Sequence, residues 1–242
     1  MLNSNKFVIF ANARSGSTSL AKLLGSSEDV QMSIEPFHPS YSDWNPGERN
    51  YAKFIDSAQK MNTALDEIFE KYSAIKVLQH QFSKEIYFQM LKTKDLKILF
   101  LTRDNLIELA ISRLVAGQTS IWQKEDLKEN EIFTKLTPID LDEIQEMIEY
   151  ISELVEIYTK FLKENREGEY LHLKYESLYS SDMEQNMSRI AEICEFLGVK
   201  LPSRVNIEKY MLPSNAKINY ANVYKNIPNL AQIEARFGKV FI

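Results

Sequence analysis

The segment from Lys6 to Leu24 joins an apolar run, a short loop of serine and glycine, and a stretch with helical spacing. The apolar run predicts a buried strand, and the helix follows the loop directly. A loop that ends at a helix N-terminus aims free backbone N–H groups and the positive end of the helix dipole at one point. The segment therefore predicts a strand–loop–helix unit with a binding site for phosphate or sulfate.

The loop resembles the pattern G-x-x-x-x-G-K-[ST] of nucleotide hydrolases but lacks its lysine. Ala11 stands at the first glycine, Gly16 matches the second, and Ser17 stands where the lysine belongs. Thr18 keeps the hydroxyl, and the positive charge comes from Arg14 inside the loop. We therefore expect the loop to bind a phosphate-like group without being an ordinary ATP or GTP hydrolase.

The alternative for this loop is a corner whose hydroxyl side chains only cap the helix. A cap needs one hydroxyl, whereas four of them surround one glycine and one arginine here. The predicted anion-binding residues are Arg14, Ser15, Gly16, Ser17, Thr18 and Ser19.

Short apolar runs alternate with longer helical stretches along the chain, as in α/β proteins with a mainly parallel sheet. The predicted strands are 6–11, 29–34, 74–79, 97–102 and 169–174. The predicted helices are 17–25, 51–71, 83–92, 104–117, 138–164 and 184–197. The pattern predicts an α/β fold in which helices flank a five-stranded, mainly parallel sheet.

The composition is that of an ordinary soluble globular protein, with 242 residues, 44% of them hydrophobic and 26% charged. Because no linker or repeat divides the chain, we expect one domain over 1–242, with an irregular segment at 206–242 as a candidate cover for the site. The net charge of −5 argues against broad electrostatic binding to nucleic acid or to an anionic membrane. An anion must therefore be held by a local cluster.

Cysteine usage and the apolar runs favour a cytoplasmic protein without stable membrane insertion. The single cysteine, Cys194, cannot form an intrachain disulfide, and its apolar neighbours predict a buried position on a helix. No apolar run approaches the ~18 residues of a membrane span, and the N-terminus lacks the pattern of a signal peptide. The sequence has no cluster of cysteine and histidine, so we expect no metal site.

A second informative segment runs from Lys97 to Arg113. It places Arg103 at the carboxyl end of a predicted strand and Ser112 about two turns into an apolar helix. Ligands of parallel sheets gather at the carboxyl ends of the strands. Taken alone, Arg103 is explained equally well as an anion contact and as the partner of Asp104 or another carboxylate. Taken together with the first loop, Arg103 and Ser112 indicate a ligand with two phosphate groups.

Three segments resemble the carbohydrate sulfotransferases: Ala-Arg-Ser-Gly-Ser-Thr-Ser-Leu at 13–20, Ile-Glu-Pro-Phe-His at 34–38, and Leu-Thr-Arg-Asp-Asn-Leu-Ile-Glu-Leu-Ala-Ile-Ser at 101–112. The likeness is greatest to the bacterial trehalose and nodulation-factor types, and the Golgi enzymes share the Arg-Ser-Gly-Ser and Glu-Pro elements. Tyr-Glu-Ser-Leu at 175–178 matches a common Tyr-Glu-Asp-Leu element except for its serine. The resemblance implies a P-loop-like, three-layer fold, with 3′-phosphoadenosine-5′-phosphosulfate (PAPS) as the sulfuryl donor.

The resemblance also implies how the donor is held. Residues 14–19 would hold the 5′-phosphosulfate, while Arg103 and Ser112 would hold the 3′-phosphate. The spacing of nine between Arg103 and Ser112 fits the bacterial type. The Arg-Lys-Gly motif that cytosolic small-molecule sulfotransferases carry on the adenine side is missing from the sequence, so the adenine contacts stay unassigned.

The acceptor hydroxyl needs a general base on the side of the sulfur opposite the leaving nucleotide. Glu35 is the predicted base, because it ends the second strand, precedes a proline and matches the glutamate of the Glu-Pro element. His80, which follows the third strand, is the competing base. Arg14 is expected to stabilise the charge that moves onto the leaving group. The plain alternatives are a surface carboxylate for Glu35 and a hydrogen-bonded structural role for His80.

The sequence thus predicts a sulfotransferase that moves a sulfuryl group from PAPS to a hydroxyl of a carbohydrate or glycolipid by in-line displacement. The alternatives are a P-loop-type nucleotide kinase or NTPase, and a nucleotide-binding domain without catalysis. The expected partner is a small-molecule or glycan acceptor, and the oligomeric state is not set by the sequence. The candidate acceptor contacts are Trp122 with Gln118 and Thr119, and Lys76, Tyr41 and Trp44.

Overall fold

The computed structural model describes residues 5–122, 135–213 and 224–239, which are built around a sheet of five strands. The strands are β1 (Lys6–Ala11), β2 (Met32–Ile34), β3 (Ala74–Leu78), β4 (Leu96–Thr102) and β5 (Tyr170–Lys174). Their order is β2–β3–β1–β4–β5, and every adjacent pair is parallel. The predicted α/β fold with a five-stranded parallel sheet is confirmed.

Helices connect the strands and flank the sheet. The described helices are α1 (Ser17–Leu24), α2 (Tyr41–Trp44), α3 (Tyr51–Phe54), α4 (Ala58–Lys71), α5 (Lys84–Leu91), α6 (Leu106–Thr119), α7 (Leu141–Asn165), α8 (Tyr175–Leu178), α9 (Met183–Leu197), α10 (Arg204–Met211) and α11 (Leu230–Phe237).

Each face of the sheet packs against its own layer of helices, which explains the continuous apolar runs of the central strands. Phe7 and Ile9 point into one core, which they share with α1, α9 and α10. Val8 and Phe10 point the other way, into a core shared with α4, α5 and α7. A third cluster joins α6, the start of α7 and α11. Because side chains alternate along a strand, the face on which a residue lies follows from its register.

The loops that follow β1, β2, β3 and β4 leave the same edge of the sheet. Ala11 is paired with Leu78 of β3 and with Leu101 of β4, so the residues after these strands begin side by side. Glu35, directly after β2, donates its N–H to the Lys76 carbonyl oxygen of β3 at 2.9 Å. This carboxyl edge is the place where parallel sheets bind ligands.

The helix predicted at 51–71 is divided in two. α3 ends at Phe54 and α4 begins at Ala58, because Ser57 leaves the helical conformation and its side chain accepts a hydrogen bond from the Lys60 N–H at 3.4 Å. The segment 206–242, expected to be irregular, contains most of α10 and the whole of α11. α11 is anchored by Asn229, whose side chain bonds both the N–H and the carbonyl oxygen of Ile139 at 2.9 and 2.7 Å.

Cys194 lies buried in the core beside α1, as predicted, with 3% of its surface exposed. Burial raises the pKa of its thiol to about 11, so the side chain behaves as a small apolar group. Among the helices that the structure describes, none is long and apolar enough to cross a membrane.

Candidate active site

The loop between β1 and α1 is wound tightly, and two of its residues have left-handed backbone conformations. Arg14 has a φ of 67° and Gly16 a φ of 81°. Ser15 is fully buried, and its hydroxyl donates to the Asn12 carbonyl oxygen at 2.6 Å. The serine that follows Arg14 therefore fixes the shape of the loop rather than offering its hydroxyl to a ligand.

Gly16 is held in place by Tyr179, which lies 163 residues further along the chain. The Tyr179 hydroxyl donates to the Gly16 carbonyl oxygen at 2.5 Å, and a Cβ on Gly16 would lie 2.6 Å from the tyrosine ring. Gly16 is also the N-cap of α1 and offers no side chain to cap it. The first N–H groups of a helix have no intrahelical acceptor, so those of Ser17, Thr18 and Ser19 suit an anion.

The Arg14 guanidinium reaches across to α6. Its Nε donates to the Ser112 hydroxyl at 3.0 Å, and Nη1 donates to the Trp122 carbonyl oxygen at 2.5 Å. Ser112 is 3% exposed, and it is 98 residues away from Arg14 in the sequence. The two anion sites predicted from separate segments thus adjoin each other, with Arg14 between them.

Arg103 is buried where the first loop, β4 and α6 meet. Its Nη1 donates to the Arg14 carbonyl oxygen at 3.3 Å, and its Nη2 lies 2.5 Å from Glu108 Oε2. The guanidinium carbon lies 4.4 Å from the centre of the Tyr175 ring. Pairing with a neighbouring carboxylate, the plainer explanation of Arg103, therefore occurs together with contact to the first loop. Asp104 pairs with Lys174 instead, at 3.0 Å.

Glu176 supports Arg103 from the turn after β5. Its two carboxylate oxygens accept the N–H groups of Asp104 and Asn105, each at 3.0 Å. Oε1 also lies 3.9 Å from Arg103 Nε. A carboxylate at these N–H groups stabilises the start of α6, the helix that carries Ser112. The element at 175–178 therefore positions residues of the predicted donor site.

Glu35 and Lys76 form an ion pair at the carboxyl edge. Glu35 has a φ of 57° directly before Pro36, a strained conformation of the kind that is concentrated at functional sites. Lys76 is 2% exposed, and its Nζ also donates to the Thr18 hydroxyl at 3.2 Å. Burial lowers the pKa of Lys76, and the charge of Glu35 acts in the opposite direction.

Lys76 is the site residue that sequence reasoning placed least well, because it was weighed only as an acceptor contact. It brings a cation to the first turn of α1, where the loop itself has serine in place of lysine. The signal was a lone lysine inside the apolar strand Ala74–Leu78. A buried lysine in such a strand needs a partner, but the sequence does not say that the partner is Glu35.

His80 lies at the edge of this cluster and is exposed. The protein atoms around its ring, together with the charge of Arg113, lower the pKa of His80 to about 4. Its charge also interacts with those of Glu35 and Lys76, so it belongs to the same crevice. The ring is therefore neutral at neutral pH.

The candidate acceptor contacts differ in whether their side chains are bonded within the protein or exposed. The Tyr41 hydroxyl is buried against the Ser33 hydroxyl at 2.8 Å, and the Thr119 hydroxyl is bonded to the Val115 carbonyl oxygen at 2.8 Å. Both are occupied within the protein. Trp122 is 49% exposed beside the Arg14 contact, while the exposed Trp44 stacks on His38 with ring centres 4.3 Å apart.

A family model for the sulfotransferase domain matches residues 4–239. The chain therefore belongs to the sulfotransferase domain family. Enzymes of this family take the sulfuryl group from PAPS, so the enzyme class and the donor predicted from the sequence are confirmed. None of the curated proteins compared with the chain matches it.

Solved structures with a similar fold are sulfotransferases of distant sequence. The enzyme from Alicyclobacillus acidocaldarius is 16% identical, over 97% of this chain and 96% of that one, with a TM-score of 0.49. The sulfotransferase domain of the curacin biosynthetic pathway is 9% identical over 96% of each chain, with a TM-score of 0.48. A mouse sulfotransferase complexed with PAP is 11% identical, over 88% of this chain and 66% of that one, with a TM-score of 0.42. The family membership does not depend on these likenesses.

Gly16→Ala should weaken donor binding, and Gly168→Ala should not. Both glycines have a positive φ, 81° and 76°, but only at Gly16 would a Cβ meet another group, the Tyr179 ring. Both variants should lose about 1–2 kcal/mol of stability for the left-handed conformation. Only Gly16→Ala should also weaken binding of 3′,5′-adenosine diphosphate (PAP) by more than about tenfold in calorimetry, because the loop must shift. Equal PAP affinities in the two variants would contradict this role of the loop.

His80 should make the protein less stable in mild acid. Its pKa is about 4 in the folded chain against an ordinary 6.5, so the unfolded chain binds the proton more readily. The free energy of unfolding should therefore fall as the pH drops from about 6.5 to about 4. Because the ring is exposed, we expect on the order of 1 kcal/mol. In urea unfolding the wild type should lose more stability over this pH range than His80→Gln, in which His172 keeps its own lowered pKa. Parallel curves would refute the prediction.

Proposed function

We propose that the protein transfers a sulfuryl group from PAPS to a hydroxyl of a carbohydrate or glycolipid. The observation that carries the proposal is one hydrogen-bonded cluster at the N-terminus of α1. There Arg103 contacts the Arg14 carbonyl oxygen, and Arg14 contacts Ser112, although these residues are 89 and 98 positions apart. Two basic groups and a hydroxyl beside uncapped helix N–H groups suit a nucleotide with two anionic ends.

In this proposal the donor lies along the cluster. The 5′-phosphosulfate binds the N–H groups of residues 16–19 and the Thr18 hydroxyl, with Lys76 beside it. The 3′-phosphate binds Ser112 and Arg103, and Arg14 lies between the two anionic groups. The contacts that Ser112 makes with Arg14 support this arrangement, because they link the two ends of the donor site.

The reaction is an in-line displacement at sulfur. The acceptor oxygen forms a bond to sulfur, the bond from sulfur to the oxygen of the 5′-phosphate breaks, and the electron pair stays with PAP. Little covalent chemistry is left for the protein, so positioning and electrostatics supply most of the catalysis. Arg14 and Lys76 are the cations placed to stabilise the charge on the leaving oxygen.

Glu35 is proposed to take the proton of the acceptor hydroxyl. Its ion pair with Lys76 uses Oε1, so the ion pair does not occupy Oε2. The same pair ties the base to the Thr18 hydroxyl through Lys76 Nζ. The base is thereby held at a fixed place relative to the donor loop, as general base catalysis requires. His80 stays the competing base, since it shares the crevice and is neutral at pH 7.

The carbohydrate class rests on the likeness of residues 13–20, 34–38 and 101–112 to the carbohydrate enzymes. The exposed indole of Trp122 is consistent with it, because an aromatic face suits the apolar side of a sugar ring. The kinase alternative lacks the loop lysine, and family membership favours sulfuryl transfer. For a domain without catalysis, the strained Glu35 beside a buried lysine would have no purpose.

Ser112→Ala should weaken PAP binding about tenfold, as expected for one hydrogen bond to a charged phosphate. Ser152→Ala is the matched control, because Ser152 bonds a backbone carbonyl oxygen on the exposed side of α7. Calorimetry without added Mg²⁺ should show PAP binding to the wild type and to Ser152→Ala with equal affinity. Tight, Mg²⁺-dependent ATP binding with no response to PAP would support the kinase alternative instead.

Glu35→Gln should keep PAP binding and lose turnover by about 10²–10⁴-fold, the usual contribution of a general base. His80→Gln should keep both within about tenfold, since a residue outside the proton transfer contributes less. Turnover is measured with labelled PAPS and an acceptor found by screening sugars, glycolipids, phenols and alcohols. Near-normal turnover in Glu35→Gln together with a collapse in His80→Gln would transfer the role of base to His80.

A further inference from the structure

Behind the catalytic edge, two buried amide side chains extend the polar surface to the other face of the sheet. Asn12 follows β1 and Gln79 follows β3, and the Gln79 N–H donates to the Ala11 carbonyl oxygen at 3.0 Å. The register pairs Ala11 with Leu78, so these two residues are neighbours. By alternation they share the face of Phe10, which packs against α5 and α7. Asn12 is 5% exposed and Gln79 1% exposed.

The side chains of Asn12, Gln79 and Tyr158 have four polar atoms without a hydrogen-bond partner within the described parts of the chain. They are Asn12 Nδ2, Gln79 Nε2, Gln79 Oε1 and the Tyr158 hydroxyl. Tyr158 is fully buried on α7, and its ring meets Phe10 edge-on with ring centres 4.8 Å apart. Buried groups of this kind are rare in native proteins, because each one left unsatisfied is destabilising. Several together at a catalytic edge indicate a site whose partner is a ligand.

A cavity of about 270 Å³ opens onto Gln79 and Tyr158. Gln79, Tyr158, Phe82, Leu154 and Tyr150 line it, and Tyr150 at its mouth is 44% exposed. One water molecule takes roughly 30 Å³ of liquid, so a single bridging water would not fill this space. The lining combines aromatic surface with an amide that both donates and accepts, as a hydroxyl does.

The charged groups at the mouth are already engaged within the protein. Lys84 Nζ lies 3.1 Å from Glu153 Oε1, and Glu85 is hydrogen-bonded to Ser83. The buried groups inside are an amide and a phenol, and neither carries a charge at neutral pH. The cavity therefore suits an uncharged, polar ligand rather than an ion.

We infer that this cavity is the subsite for the non-reacting hydroxyl groups of the acceptor, and that it selects a compact polyhydroxylated ring. The inference rests on the proposed function and adds to it the residues that recognise the acceptor. The cavity begins at Gln79. Gln79 directly precedes His80 of the catalytic crevice, and its N–H donates to the carbonyl oxygen of Ala11, the residue before Asn12. An acceptor with one hydroxyl at Glu35 places its further hydroxyls on the Gln79 amide and the Tyr158 phenol.

The test measures acceptor and donor binding separately. Saturation-transfer NMR with PAP-saturated protein uses trehalose, methyl α-glucoside and myo-inositol as probes, with cyclohexanol and 4-nitrophenol as comparisons. The polyhydroxylated probes should bind the wild type in preference to the comparisons. Gln79→Leu should weaken their binding about tenfold. The control Gln89→Leu should not, because Gln89 lies on α5 and is bonded to Asn62 of α4.

A second pair of variants separates ligand recognition from a structural role. Tyr158→Phe should lose affinity for the polyhydroxylated probes and unfold at an equal or higher urea concentration, because it removes an unsatisfied buried hydroxyl. Tyr87→Phe should unfold at a lower urea concentration and keep the affinity, because the Tyr87 hydroxyl donates to the Leu78 carbonyl oxygen at 2.5 Å. A lower midpoint for Tyr158→Phe would assign its hydroxyl to the fold and overturn the inference.

The remaining outcomes each decide one question. Failure of all three polyhydroxylated probes to bind the wild type overturns the inference, as does unchanged binding in both Gln79→Leu and Tyr158→Phe. PAP affinity should be equal in the wild type and all four variants. If the wild type itself does not bind PAP, the proposed function fails, whatever the cavity binds.

Discussion

The Arg103 guanidinium is the group on which the arrangement of the site depends. It lies at the end of β4 and touches the backbone of the first loop, a glutamate of α6 and the ring of Tyr175 after β5. A buried guanidinium must have its charge compensated, and here the compensating groups come from three segments outside its own strand. Those segments carry the predicted donor loop and Ser112. The charge that would bind a phosphate thus also sets the distances between the parts that surround the phosphate.

Much of this could be predicted from the sequence, because the relevant signals are local. The apolar runs of β1, β3 and β4 are buried on both faces, so their bounds were predicted to within a residue or two. The first loop was recognisable because its hydroxyls and its arginine stand between a strand and a helix. Arg103 was recognisable as a basic residue at a strand end. That the strand ends lie side by side follows from parallel pairing alone.

The remaining features depend on register and on contacts between distant segments, which a single sequence does not encode in a readable way. Lys76 stands at the right position on β3 to face Thr18, but its partner Glu35 is 41 residues away and directly follows another strand. Gln79 and Asn12 become neighbours only through the pairing of β3 with β1. The break between α3 and α4 depends on one serine that caps the second helix, and such boundaries are weakly marked.

The hydrogen bond between Tyr179 and Gly16 has a consequence for how the protein is made. The two residues are 163 positions apart, so a ribosome must add β5 and the turn after it before the glycine can be clamped. Strands β1 to β4 are already synthesised by then, and the first loop has its contacts with Arg103 and Ser112 but not the clamp on Gly16. The last of the contacts that fix this loop therefore forms late in synthesis, and a nascent chain that ends before this tyrosine lacks the hydrogen bond to Gly16.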